Sequence, residues 1–216
     1  DDTNAALMIK NALISGLISA GNNVTDFRTQ ILPSARHAVR FFRLDGGIHV
    51  STCSGRESRL TIDFLDRKGN NIDRATERKI EIAYMRDDFN RCEGDCLKKV
   101  REIGGFIEIY KQNIFNGIKE EKLNFRVAVA APSEFVFEIV KDVLTKAGCI
   151  VSKISEKTDS GFHHRPDVRE FSKAVSRGGF DLGVSIEDTC EKMLLVDERG
   201  RIVTEDMFIA LISIVL

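Results

Sequence analysis

With 216 residues, the chain is long enough for one large domain or two of about 100 residues, each with its own core. Hydrophobic residues make up 43% and charged residues 30%, a balance that excludes a disordered chain. The formal net charge of −1 argues against nucleic acid as a partner, and no apolar run is long enough to span a bilayer.

The chain opens DDTNAALM, without a basic flank or signal-type segment, and nothing there marks it for secretion. Ala5 to Ala20 carries apolar residues at helical spacing (Leu7, Met8, Ala12, Leu13, Leu17, Ile18), and Gly21 follows as a stop. Asp1, Asp2 and Thr3 are candidate caps. A domain seldom begins on such a helix, so a strand is expected ahead of it. Asn23–Phe27 reads as a short strand. Leu32-Pro33-Ser34 reads as a loop into a helix over Ala35–Phe42. Gly46-Gly47 turns into strand Ile48–Ser51, and Leu60–Leu65 alternates as another strand. Lys68-Gly69-Asn70-Asn71 is a turn, and Arg74–Met85 a charged amphipathic helix. Residues 90–105 are polar and contain glycine. Phe106–Ile118 is helical again.

Lys119–Asn124 is a charged bridge, and the domain division is placed there, giving 1–121 and 122–216. A strand–helix rhythm follows. Strand Phe125–Ala131 leads through Pro132-Ser133 into a helix that runs to Lys146 and stops at Gly148. Cys149–Ile154 is a strand, Asp167–Ser176 a helix, Phe180–Ile186 and Met193–Val196 strands, and Thr204–Val215 a helix. This order predicts an α/β fold of two α/β/α sandwiches, each with a mixed, mainly parallel sheet. The last helix is apolar where the sequence stops, so a longer polypeptide is expected.

Cys53, Cys92, Cys96, Cys149 and Cys190 are scattered and odd in number, unlike a disulfide framework. Cys92 and Cys96 lack a second pair or nearby His to complete a zinc site. Reduced thiols in a cytoplasmic protein are the expectation. His163-His164 lie in the polar run Thr158–Arg165 and read as surface loop. His49 reads as a strand-face residue, His37 as a helix-surface one. The charge cluster Arg86–Arg91 reads as solvated ion pairs.

Several separated segments, in order, resemble the α-D-phosphohexomutases, the phosphoglucomutase/phosphomannomutase family. They are Ala12–Gly21 (ALISGLISAG), the strand Asn23–Phe27 with Leu32-Pro33, Gly46-Gly47-Ile48, Asp66–Gly69 (DRKG), Ile80-Glu81, Asp181-Leu182-Gly183 and Leu195–Gly200 (LVDERG). The resemblance covers nearly the whole chain and implies the first two of the family's four domains. In the family a loop reading T-A-S-H-N-P carries the phosphoryl group on its serine. Three aspartates of D-G-D-G-D-R hold Mg²⁺ beside it.

Residue by residue, the serine falls on Cys53, with Ser54 and Gly55 at the His and Asn. The aspartates fall on Glu187, Thr189 and Glu191, the glycines on Asp188 and Cys190, the arginine on Lys192. The resemblance therefore implies Cys53 at the catalytic position, Ser51, Ser54 and Lys192 toward substrate, and Glu187, Thr189 and Glu191 at the Mg²⁺ positions. Mg²⁺ wants hard oxygen ligands in near-octahedral geometry. Longer carboxylates at 187 and 191, a lost charge at 189 and two lost glycines disfavour it. Phosphoryl transfer rests on positioning and electrostatic stabilisation, so both motifs read as degenerate. A thiolate role for Cys53 ranks behind a packing role. Takeover by Ser51 or Ser54 lacks a visible base.

The segments ALISGLISAG, DRKG, RATERKIE and RDDF look more like the branch fused to a sugar nucleotidyltransferase, as in mannose-1-phosphate guanylyltransferase-like proteins. The expectation is a binding or regulatory part of such a polypeptide, without a cofactor of its own. Its partners would be a hexose phosphate or nucleotide sugar, the other domains of the polypeptide, and a second copy in a homo-oligomer. The alternative is an active phosphoglucomutase or phosphomannomutase with an unusual site.

Overall fold

Thr3 starts the first helix. A computed structural model describes residues 1, 3–53, 56–87, 89–118, 123–157, 163–164 and 167–215. In it Thr3 Oγ1 accepts from the Ala6 N–H at 3.2 Å and caps α1 (Asn4–Ser19). After α1 the chain turns at Gly21, with φ +77°, into β1 (Val24–Asp26). Helix α2 (Leu32–Phe41) begins at Leu32 rather than at Ala35. Pro33 sits in its first turn, where a missing N–H costs nothing.

Strands β2 (Gly46–Cys53) and β3 (Arg56–Asp66) run beyond their apolar cores as one antiparallel ribbon. Mutual pairing satisfies backbone groups past the point where alternation fades. Asp73 accepts from the Thr76 N–H at 2.7 Å and caps α3 (Arg74–Arg86). The stretch expected as irregular contains a 3-10 turn at Gly94–Cys96 and β4 (Val100–Glu102), which pairs in parallel with β1. All three β4 residues are exposed, so no alternation revealed it. Helix α4 (Phe106–Phe115) follows.

The chain forms two compact units, Asp1–Tyr110 and Lys111–Leu216. By contacts the division thus falls inside α4, ahead of the charged bridge, and the expected 121/122 boundary lies outside the described residues. In unit 1, Leu32, Val39 and Leu65 form a buried cluster. Phe106 is fully buried, with the rings of Phe27 and Phe42 at 5.4 and 5.6 Å.

Unit 2 contains β5 (Arg126–Ala130), α5 (Glu134–Lys146), β6 (Ile150–Lys153), β7 (Glu156–Lys157), β8 (His163–His164), α6 (Val168–Gly178), β9 (Leu182–Ile186), β10 (Met193–Asp197), β11 (Ile202–Val203) and α7 (Glu205–Val215). Its main sheet has the order β11-β10-β9-β5-β6. β5 pairs in parallel with β6 and β9, and β10 pairs antiparallel with β9 and β11, so the sheet is mixed. Central β5 is buried on both faces from Val127 to Ala130, between α5 and α6. On one face Ala128 and Ala130 leave room for Phe171 and Val175 of α6. Gly183 sits opposite, where a Cβ would lie 2.5 Å from Val175 Cγ2. His163-His164 are not plain loop: they pair antiparallel with Glu156-Lys157.

One turn occurs in both units. Asp66 Oδ1 accepts from the N–H groups of Lys68 and Asn70 at 2.8 and 2.9 Å. Asp197 Oδ1 accepts from Arg199 and Arg201 at 3.0 and 2.8 Å. Gly69 and Gly200 then take φ +74° and +79°. Each lies against a helix carbonyl: a Cβ would come 2.5 Å from the Arg36 oxygen or 2.8 Å from that of Ser172. DRKG and DERG are thus the same device, an Asp-bracketed turn pressed onto a helix. Among the described residues no helix is long and apolar enough to cross a membrane.

Candidate functional site

The first candidate loop follows β2. Ser51 pairs with Thr61 and Thr52 with Leu60, and then the register shifts so that Cys53 pairs with Arg56. The extra residues on β3 form a bulge that bends the ribbon where the motif lies. Ser54 lies outside the described residues. Asp1 holds the base of this loop. Its Oδ2 accepts from the Thr52 N–H at 2.5 Å and from the Thr52 hydroxyl at 2.7 Å. Its Oδ1 accepts from the Thr3 hydroxyl at 2.8 Å, which links the loop to the cap of α1. From sequence Asp1 is a candidate helix cap only. Nothing local signals a contact to a residue 51 positions away.

Behind the loop, His49 is buried rather than simply facing a strand surface. Its Nε2 lies 3.0 Å from the Gln30 carbonyl oxygen. A carbonyl only accepts, so Nε2 carries the proton. Nδ1 is then a buried acceptor without a hydrogen-bond partner, 3.9 Å from Asp63 Oδ2. Burial holds the His49 pKa below its ordinary value. Gln30 also accepts from the Ser34 hydroxyl at 2.6 Å and donates to the Phe27 carbonyl at 2.9 Å. This buried network fixes the turn between β1 and α2 against β2.

The second candidate loop, residues 187–192, joins β9 to β10. The Glu187 N–H donates to the Lys192 carbonyl at 3.0 Å, and the Cys190 N–H to the Glu187 carbonyl at 2.9 Å. Glu187, Asp188, Thr189, Glu191 and Lys192 are exposed, while Cys190 is half-buried. Cys190 has φ +58°. The resemblance puts the second family glycine at this position, where the loop takes a left-handed backbone without a glycine. Asp188, at the first glycine, is not in that region. Loss of the first glycine therefore carries no strain here, whereas loss of the second does. Burial, aided by the carboxylates of Asp188 and Glu191, pushes the Cys190 thiol up to about 12. It stays protonated at neutral pH and is no nucleophile. Cys190→Gly is expected to raise the stability of unit 2 by about 0.5–1 kcal/mol in chemical denaturation. A loss of stability would show that the thiol's packing outweighs the backbone strain.

The Mg²⁺ implied by the resemblance does not fit these residues. Among the described residues no three His, Cys, Asp or Glu side chains come together as a metal set. Lys192 is exposed, and its carbonyl accepts from the Glu187 N–H. Among the described side chains, Cys92, Cys96, Cys149 and Cys190 are free thiols.

Comparison with known proteins agrees with this architecture. Residues 1–91 match the family model for phosphoglucomutase/phosphomannomutase, alpha/beta/alpha domain I. The phosphoglucosamine mutase of Nautilia profundicola is 27% identical over 220 residues, covering 99% of this chain and 50% of that protein. The phosphoglucomutase/phosphomannomutase of Thermococcus kodakarensis is 26% identical over 215 residues, covering 95% of this chain and 47% of its own length. The chain thus spans about half the length of the curated relatives it matches. A crystal structure of a phosphoglucomutase/phosphomannomutase family protein from Burkholderia thailandensis superimposes with a TM-score of 0.79 at 16% identity, over 94% of this chain and 46% of that one. The parafusin (phosphoglucomutase) structure from Paramecium gives 0.60 at 14% identity, over 82% and 41%. The chain is phosphohexomutase-like in sequence and in fold.

Proposed function

We propose that this chain is a phosphohexomutase-like part of a longer polypeptide, one that binds a hexose phosphate or nucleotide sugar without transferring phosphoryl groups. The observation that carries this reading is the 187–192 hairpin. It closes on a left-handed Cys190, exposes its acidic side chains, and does not gather them into a metal set. Cys53 at the phosphoserine position supports it, because a thiol is a poor carrier for a lasting phosphoenzyme. The frame around these loops is kept, and retention of frame with change of chemistry suits binding or regulation. The names of the relatives support a hexose or hexosamine phosphate as the ligand class. The segments ALISGLISAG, DRKG, RATERKIE and RDDF support a sugar nucleotidyltransferase as the fused partner domain, and the net charge of −1 supports the absence of nucleic acid among its ligands.

The test is a mutase assay on the whole parent polypeptide with Mg²⁺ and glucose 1-phosphate, mannose 1-phosphate or glucosamine 1-phosphate. Turnover is expected to stay at the level of a no-enzyme control. Turnover that Cys53→Ala or a Glu187/Glu191 double substitution abolishes would make an active mutase the better reading. Turnover that survives both would place chemistry at another site of the parent.

A further inference from the structure

The β2–β3 ribbon has one open side along β3. Among the described residues β3 pairs in a sheet with β2 alone, and its outer edge is taken only at the far end. There the Ile72 N–H donates to the Phe64 carbonyl at 3.1 Å, and the Asp66 N–H to the Asn70 carbonyl at 2.8 Å. The backbone groups of successive residues point to opposite sides of a strand, so those of Leu60 and Ile62 point outward with those of Phe64 and Asp66. Ile62 is 39% exposed. Such an edge is a template for another strand. Arg59 and Asp63 lie on one face of it, two residues either side of Thr61. Arg59 is exposed and has no acidic partner among the described residues. The Asp63 side chain is 18% exposed, and the basic group beside it is His49, at 3.9 Å, which burial keeps uncharged at neutral pH. Along a strand the two charges stand about 13 Å apart, so one chain cannot join them.

We propose that this edge pairs with the same edge of a second copy of the chain, antiparallel, about a two-fold axis at Thr61. The axis sets Leu60 opposite the partner's Ile62, and Arg59 opposite the partner's Asp63, with each contact repeated by symmetry. Leu60 and Ile62 are the residues whose backbone groups point outward, so each pair exchanges both of its N–H···O=C bonds. Arg59 and Asp63 fall on the pairs between, where facing side chains come closest, and opposite charges there favour the contact. An axis at Leu60 or Ile62 also permits a ladder, but it leaves Arg59 opposite Thr61 or Leu65. The axis at Thr61 is the one that joins the two charges. This self-complementarity favours a second copy over any other strand as the occupant. The bulge beyond Leu60 and the Asn70–Ile72 turn bound the edge on either side. The contact covers about five residues a side, against 20–30 in a standard interface, so the dimer exchanges with monomer at micromolar concentrations. The pairing stands whether or not the chain transfers phosphoryl groups.

Sedimentation equilibrium of the whole parent polypeptide over a concentration series tests it, with charge-reversed variants. Arg59→Asp and Asp63→Arg each set like charges face to face and are expected to raise the dissociation constant of the dimer about tenfold or more. The two changes in one chain recreate the pair in reverse and are expected to bring it back to within about threefold of the starting value. Simple damage to the fold by either change does not produce that rescue. Absence of a dimer up to about millimolar concentration, a dimer indifferent to the single changes, or a double change without rescue would overturn the proposal. Hydrogen exchange of the unaltered protein gives a second readout that needs no variant. The Leu60 and Ile62 amides are expected to gain protection as concentration rises, whereas that of Asp63, which faces β2, stays constant. Unchanged exchange at Leu60 and Ile62 alongside a rising dimer mass would assign the dimer to another surface and overturn the proposal.

Discussion

Phe171→Ala is expected to destabilise unit 2 by about 3–5 kcal/mol. Phe171 is fully buried and belongs to the cluster of Ala128, Ala130, Val175 and Val196. Its neighbours across the sheet are small. Ala128, Ala130 and Gly183 have no side chain long enough to move into the space its ring leaves. The less the surrounding Val196, Leu194 and Phe180 shift into the space, the nearer the cost falls to the upper end of the range. A single domain has only about 5–15 kcal/mol to lose, so this change consumes much of the stability of unit 2. Urea denaturation followed by circular dichroism measures it. A loss under about 1 kcal/mol would show that the Ala128/Ala130 face is not the packed layer described above.

Gly69→Ala is expected to cost unit 1 about 2–4 kcal/mol, from two independent sources. Gly69 has φ +74°, where a side chain is strained by about 1–2 kcal/mol. Its added Cβ would also stand 2.5 Å from the Arg36 carbonyl oxygen, and backbone cannot swing aside as a side-chain end can. The Arg36 guanidinium donates to the Gly69 carbonyl at 2.9 Å and to Asn71 Oδ1 at 2.7 Å, so relieving the clash breaks these bonds. Gly69→Ala in an Arg36→Ala background isolates the share of these guanidinium bonds. The strain and the backbone contact remain, and the guanidinium no longer resists the shift. Equal costs in both backgrounds would mean that the guanidinium bonds add nothing to the cost.

These two sites show what the sequence makes legible. Phe171 and Val175 lie four apart in an amphipathic helix, and Gly183 stands in a motif quoted from sequence alone. The alternation of apolar strand and capped helix shows every α-helix among the described residues, though not the 3-10 turn at Gly94–Cys96. Boundaries moved where a local rule was outweighed. From sequence Pro33 precedes α2, whereas it lies in the helix's first turn. β4 is wholly exposed and is held in place by β1, from a distant part of the chain, so no local pattern shows it. The resemblance located both candidate loops but not their backbone. That Cys190 keeps a left-handed conformation is a property of the hairpin closed by Glu187 and Lys192. The tie from Asp1 to Thr52 and the buried His49–Gln30–Ser34 network are long-range contacts between polar residues, which carry no periodic signal.

Thermal melting of the chain with and without millimolar Mg²⁺ most directly tests the proposed reading of the 187–192 loop as a hairpin that forms no metal site. A site that binds only the folded chain adds about 2.7 kcal/mol at a hundredfold excess of metal over its dissociation constant. That is several degrees of melting temperature for a unit of this size. Exposed carboxylates such as those of Glu187, Asp188 and Glu191 are expected to attract only a loose counterion cloud, so the expected result is the same melting temperature at both conditions. A rise with Mg²⁺ that Glu187→Gln removes would contradict the account and return the loop to the metal-binding class.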